Sequence, residues 1–289
     1  MSSGRGHGRR RLHVLVDESG NGLDKDHLVI GGLVVLGDDA LARLADAWCR
    51  WTMSKGLPNR SKGRKWRPED LARLPEFFIA ERLIPISAWA PMSPSKRLLV
   101  EEKMRRLADA RAEDGILLPP GDEPKPSGYA CMMAMLPVLL RALIQVGAGH
   151  AHRAEGVCLH MDGGPFNPFE IKLLANNIPV RFAEQIEIIK TDILSHGTPE
   201  QRRYGKRIAQ SGLRFDSPPT IDFTFRGLPL DVVDKSTTLA MRALSGDESC
   251  ASAIEELATA FPCRLWPSGY VEVLTPADKV IDHVIGHGW

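Results

Sequence analysis

Four acidic residues stand where a sheet and a helix would aim them at a common point: Asp17, Asp162, Asp231 and Asp234. Asp17 closes the apolar run Leu12 to Val16 (LHVLV) and is followed by Glu18-Ser19-Gly20-Asn21-Gly22. Asp162 closes Gly156 to Met161 (GVCLHM) and is followed by Gly163-Gly164. In open α/β sheets the functional crevice lies outside the carboxyl ends of the strands, so an acid just after an apolar strand is aimed at it. Asp231 and Asp234 fall one turn apart on one face of a helix expected from Leu230 to Leu244, while Val232, Val233 and Leu239 pack inward. Carboxylates gathered in this way repel one another and hold protons more tightly unless a divalent cation neutralises them. Hard oxygen ligands select magnesium (Mg2+) or manganese (Mn2+), and two such ions can activate a water and stabilise the leaving oxygen in phosphodiester hydrolysis. Glu18 joins the set only if the chain has already turned at that point, because successive strand side chains face opposite sides. For each acid the ordinary alternative is a turn-starting Asp or a first-turn helix charge, and only convergence separates the two.

Hydrolysis of a phosphodiester needs a polyanion nearby, and the sequence offers local rather than global attraction. Thirty-seven Lys and Arg against thirty-six Asp and Glu leave a net charge of +1. The positive charge is clustered in three places: Arg5 with Arg9 to Arg11, the loop Asn59 to Arg67 (NRSKGRKWR), and Arg202, Arg203, Lys206 and Arg207. Lys65 and Arg64 are candidate phosphate contacts, Arg202 and Arg203 a second pair, and Trp66 an aromatic ring able to stack a base. Solvated surface charge is the alternative for each cluster. His13, His160 and His196 read as packed or surface residues rather than ligands. The nearest His pair, His150 and His152, sits in a Gly-Ala loop with poor zinc spacing. The five cysteines, Cys49, Cys131, Cys158, Cys250 and Cys263, are odd in number and widely spaced with no CxxC pair, which suits buried thiols in a reducing compartment. The first eleven residues lack the apolar stretch of a secretory signal, so a cytoplasmic location is expected. No apolar run approaches the roughly 18 residues of a membrane helix, so no membrane partner is expected.

The elements that must position these groups can be read along the 289 residues. Leu12 to Val16 and His27 to Leu36 (HLVIGGLVVL) are strands joined as an antiparallel hairpin, and Gly31-Gly32 marks a bulge or a close backbone approach. Asp38 or Asp39 is expected to cap a helix running to about Met53. The basic loop then precedes a helix that starts at Pro68 and runs to about Glu81. Leu83 to Ala90 is a third strand, which Pro85 places at an edge or at a strand beginning. A charged helix is expected from Pro94 to Ala112, a Pro-rich loop from Leu117 to Ser127, and a buried core helix from Tyr129 to Val146. Further expectations are strands at Gly156 to Met161, Gln185 to Ile189 and Thr220 to Phe225, helices at Phe169 to Asn176, Leu230 to Leu244 and Asp247 to Ala260, and a small hairpin at Arg264 to Leu274.

Val14-Leu15-Val16-Asp17-Glu18-Ser19-Gly20-Asn21, followed by His27 to Val35 with its paired glycines, resembles the start of the bacterial family called domain of unknown function 3800. Arg64-Lys65-Trp66 before a helix, Asp162 after a strand, and Leu230 to Ala240 extend the likeness. The resemblance implies a ribonuclease H-like α/β fold: a mixed sheet flanked by helices, with a carboxylate site for a divalent metal. On that basis Asp17, Asp162 and Asp234 are the metal ligands and catalytic groups, with Glu18 and Asp231 auxiliary. Val233 stands where the family has Ala and Lys235 where it has an apolar residue, which keeps Asp231 as the alternative helix ligand. The organisation expected is a flexible basic arm over 1–11 and one ribonuclease H-like domain over 12–289. That domain would carry insertions at about 38–82 and 94–127 and an extension at about 247–289. Two functions remain open. One is a Mg2+- or Mn2+-dependent nuclease acting on DNA or RNA. The other is a non-catalytic nucleic-acid- or protein-binding subunit of a prokaryotic defence or mobile-element system, as a homo-oligomer or with a protein partner.

Overall fold

A computed structural model describes residues 11–19, 26–58, 61–99, 156–161, 220–222, 224–225, 227–261 and 273–279, with short runs or single positions at 102, 106, 187, 191, 194–197, 199, 202–203, 206 and 282. It is an α/β structure built on a six-stranded mixed sheet of order β5-β4-β1-β2-β3-β6. The strands are β1 (Arg11–Ser19), β2 (His27–Leu36), β3 (Ile86–Pro91), β4 (Gly156–Met161), β5 (Thr220–Asp222) and β6 (Leu274–Pro276). β2 runs antiparallel to both β1 and β3, whereas β1–β4, β4–β5 and β3–β6 are parallel pairs.

β1 is central, and its burial explains its composition. Leu12, Val14 and Val16 on one face and Leu15 on the other are all at most 2% exposed, so the strand reads as a continuous apolar run rather than an alternating one. His27 to Leu36 forms the expected hairpin partner. The register runs unbroken from Leu12 opposite Leu36 to Ser19 opposite Val29, so Gly31-Gly32 makes no bulge. Close approach is the reason for Gly31: a Cβ there would lie 2.2 Å from Thr237 Oγ1.

Helices α1 (Asp38–Ser54), α2 (Pro68–Leu71), α3 (Leu74–Ala80), α4 (Leu228–Leu244) and α5 (Glu248–Ala260) complete the described elements, together with a helical stretch at 94–99. α4 lies against β1 and β2 and is covered in turn by α1, α2 and α5. It is therefore buried nearly all round, from Pro229 to Met241, and is the central helix of this layer. Tyr129 to Val146, expected in that role, lies outside the described residues. The core between α4, α1 and the sheet holds Leu15, Leu33, Leu44, Trp48, Phe77 and Leu239.

Local details depart from expectation for identifiable reasons. Gly37, not Asp38 or Asp39, occupies the N-cap of α1, and Asp38 Oδ1 instead meets His13 Nε2 at 2.9 Å. The segment after Pro68 divides into two short helices. β3 begins directly after Pro85 and is flanked by β2 and β6, so Pro85 marks a strand beginning and not an edge. β5 is described to Asp222, whose Oδ1 accepts from the Thr224 amide at 2.9 Å and the Thr224 hydroxyl at 2.8 Å, bonds of the kind an Asp makes at a turn. Glu187, inside an expected strand, is helical. The described end of the expected C-terminal hairpin forms β6, parallel to β3.

Candidate functional site

Asp17 stands near the carboxyl end of β1, on the face that α4 covers, and is 7% exposed. Its cross-strand partner is Gly31, the residue whose missing Cβ admits Thr237. α4 thus comes close to the sheet beside Asp17, one turn from its own Asp234. Burial drives the Asp17 pKa well above the usual carboxylate range, and the negative charges of Glu18 and Asp234 push it the same way. The Glu18 amide, which donates to Asp17 Oδ1 at 2.9 Å, and the Lys62 ammonium oppose this only in part.

The helix acid that acts on Asp17 is Asp234, while Asp231 lies half-buried in the first turn of α4. Asp234 is tied to the basic loop. Its Oδ2 accepts from the Gly63 amide at 2.5 Å and from Lys235 Nζ at 3.1 Å. Lys235, fully buried, also donates to the Ser61 carbonyl and lies 5.8 Å from the centre of the Trp66 ring. Gly63 is required for this docking, because a Cβ would sit 2.3 Å from Thr238 Oγ1 and 2.9 Å from the Asp234 carbonyl oxygen. Both bonds of Asp234 go to one oxygen, so Oδ1 is the atom it can offer a cation.

Around this anchor the loop presents Lys62, Arg64, Lys65 and Arg67 to solvent. Trp66 takes a different part from the one its sequence context suggested. It is 2% exposed, stacks on Trp48 with ring centres 5.8 Å apart, and donates from Nε1 to the Pro58 carbonyl and the Ser61 hydroxyl. An indole enclosed by protein has no face left for a base, so Trp66 is a core residue and not a stacking platform. Arg202 and Arg203 are exposed, and Arg202 Nε donates to the Gly197 carbonyl at 2.8 Å.

Asp17, which burial and like charge press to hold its proton, and Asp234 Oδ1, beside an Oδ2 engaged by Lys235 and Gly63, are oxygens of the kind a hard divalent cation takes. Among the described residues, Asp17, Glu18 and Asp234 do not form a group of three with all ligand atoms mutually close. Asp162 lies outside the described residues. In sequence it follows Met161, whose register partner is Val16, just as Asp17 follows Val16.

Among the described residues one group of three potential ligands does converge, and sequence reading missed it. His13, Cys158 and His160 have ligand atoms all within 4.8 Å of one another. Register explains the meeting: His13 is opposite Cys158, Leu15 opposite His160, and His160 opposite Asp222. His13 Nδ1 lies 2.9 Å from His160 Nε2, His13 Nε2 lies 2.9 Å from Asp38 Oδ1, and His160 Nδ1 lies 3.6 Å from Asp222 Oδ2. Burial lowers both imidazole pKa values, more than the two carboxylates restore, and raises that of the Cys158 thiol. The available signal was Cys158-x-His160, which on a strand places both side chains on one face.

No described helix is long and apolar enough to cross a membrane. Compared with models of known protein families and with curated proteins, the chain matches none.

Proposed function

We propose that the chain is a ribonuclease H-like, divalent-metal-dependent nuclease related to the domain of unknown function 3800 family. Asp17 and Asp234 hold Mg2+ or Mn2+ together with Asp162, and Glu18 is auxiliary. The observation that carries this reading is the pairing of a buried, charge-stressed Asp17 with an Asp234 onto which an exposed basic loop is docked. The strand sequence β3-β2-β1-β4-β5, with β2 alone reversed, supports the fold assignment. The bound ions would supply an activated water and stabilise the leaving oxygen. The chain's own part is to hold the carboxylates rigidly on β1 and α4 and to present Lys62, Arg64 and Lys65 to phosphates.

The test is Mn2+-dependent cleavage of single-stranded and double-stranded DNA, RNA and an RNA–DNA hybrid. At least one should be cut by the wild type and none by Asp17→Asn or Asp234→Asn, with all three proteins folded. One observation favours a second reading, a non-catalytic binding subunit: the buried Lys235 already occupies Asp234 Oδ2 as a counter-charge. Salt-dependent nucleic-acid binding with no turnover by the wild type would select it.

A further inference from the structure

The His13–Cys158–His160 cluster is left with one hydrogen too few or one too many for its neighbours. With His13 Nε2–H donating to Asp38, the neutral His13 ring has only a lone pair at Nδ1, which must take the proton on His160 Nε2. His160 Nδ1 is then a bare acceptor facing a carboxylate oxygen at 3.6 Å, with no partner within hydrogen-bond distance. Moving the proton to Nδ1 would satisfy Asp222, but would set two lone pairs against each other 2.9 Å apart. A second proton on His160 would satisfy both neighbours, but burial opposes the charged ring; a metal ion between two neutral rings also removes the conflict. Both facing nitrogens become ligands, and both outer nitrogens carry hydrogens directed at Asp38 and Asp222, the carboxylate–histidine–metal arrangement that orients ligands in many metal sites.

From this geometry we propose that His13 Nδ1, His160 Nε2 and Cys158 Sγ bind one zinc ion, with water in the fourth position. The donor set of two imidazoles and a thiolate is borderline-soft, which selects zinc and excludes magnesium. Zinc–nitrogen bonds of about 2.0–2.1 Å in a tetrahedral site put the two nitrogens roughly 3.3 Å apart. With ring centres 5.1 Å apart the facing nitrogens meet head-on, so the rings must part by a few tenths of an ångström and each turn by roughly 35° to aim its lone pair at a shared ion. Binding is balanced by one proton. Cys158 gives up its thiol hydrogen, the His160 hydrogen passes from Nε2 to Nδ1, and His13 keeps its own. On β1 the site is four residues from Asp17, or about 13 Å along a strand, whereas in sequence His160 precedes Asp162 by two positions, so the donor set and not distance separates it from the nuclease reading.

The experiment uses the full chain, reduced and stripped by a chelator, titrated with Co2+ as a spectroscopic stand-in and then with Zn2+. The expected result is one equivalent of Co2+ with intense visible bands of a tetrahedral ion and a near-ultraviolet thiolate-to-cobalt band, bleached by equimolar Zn2+. Cys158→Ser should lose the thiolate band, whereas Asp17→Asn/Asp234→Asn should keep the whole spectrum. Should Cys158→Ser fail to fold, Zn2+ must still protect Cys158 of the wild type from alkylation, mapped by mass spectrometry. A folded wild type without the thiolate band, a band that survives Cys158→Ser, or alkylation of Cys158 unaffected by Zn2+ each overturns the proposal.

Discussion

The two ends of β1 treat polar groups in opposite ways. At the carboxyl end, Asp17 is buried against like charge, which the Glu18 amide and the Lys62 ammonium offset only in part. Toward the amino end, His13 is equally buried but is met by His160 and Asp38 at 2.9 Å. Both lie on the same face of the same strand, so depth does not separate them; the chemistry of the neighbours does. Acid beside acids is the donor set a hard dication would take, whereas neutral imidazoles beside a thiol are the set a borderline-soft metal would take.

For the proposed nuclease the largest effect should come from Asp17→Asn, a loss of cleavage of at least about 100-fold, as when a group stabilising developing charge is removed. The same variant should gain stability at neutral pH. Because the native pKa of Asp17 is raised, the folded state binds its proton more tightly than the unfolded state. The stability so contributed is complete below the unfolded value, near 4, and is lost as pH rises through the folded one. The wild type should therefore melt below Asp17→Asn at pH 7, and the gap should close as the buffer approaches pH 4 or as Mn2+ is added. A gap that is unchanged across that pH range would refute the charge-stress account.

Lys235→Met comes next. Removing the buried partner of Asp234 should cost about 3 kcal/mol in denaturant melts, and Lys235→Met/Asp234→Asn should recover most of it. Gly63→Ala should cost about 1–3 kcal/mol by overpacking against Thr238 and the Asp234 backbone. It should also weaken cleavage by shifting the basic loop. At the other end of β1, Asp38→Asn should lower Zn2+ affinity about 10–100-fold through His13 while leaving Mn2+-dependent cleavage unchanged. An equal loss of both activities would merge the two regions into one site. The smallest expected change is Arg64→Ala: an unaltered melt, with the salt dependence of nucleic-acid binding reduced by about one unit of slope.

How much of this was legible in the sequence depends on the range of the signal. β1, β2, α1, α4 and α5 were readable because apolar periodicity and turn chemistry are local. Asp17 and Asp234 were legible as an acid after a strand and an acid in the first turns of a helix. The purpose of Gly31 and Gly63 was not, since each glycine answers to a threonine of α4 that is distant in sequence. Trp66 misled for the same reason: a Trp among Arg and Lys looks exposed until Trp48 and Trp51 are seen to enclose it. Lys235, which stands where the resembling family has an apolar residue, is the ammonium that fixes Asp234. The His13–His160 contact spans 147 residues, beyond any motif.

That span also bears on how the chain emerges from the ribosome. β1 is an interior strand of the finished sheet, but after β2 has paired with it the opposite edge has no partner until β4 is synthesised, more than a hundred residues later. At ordinary elongation rates this leaves the Val- and Leu-rich edge of β1 bare for on the order of ten seconds. An uncovered, flat, apolar strand edge is a template for pairing with other chains. Yield of the protein in cells should therefore depend on chaperone supply and on translation speed between β2 and β4 more than on the stability of the finished fold.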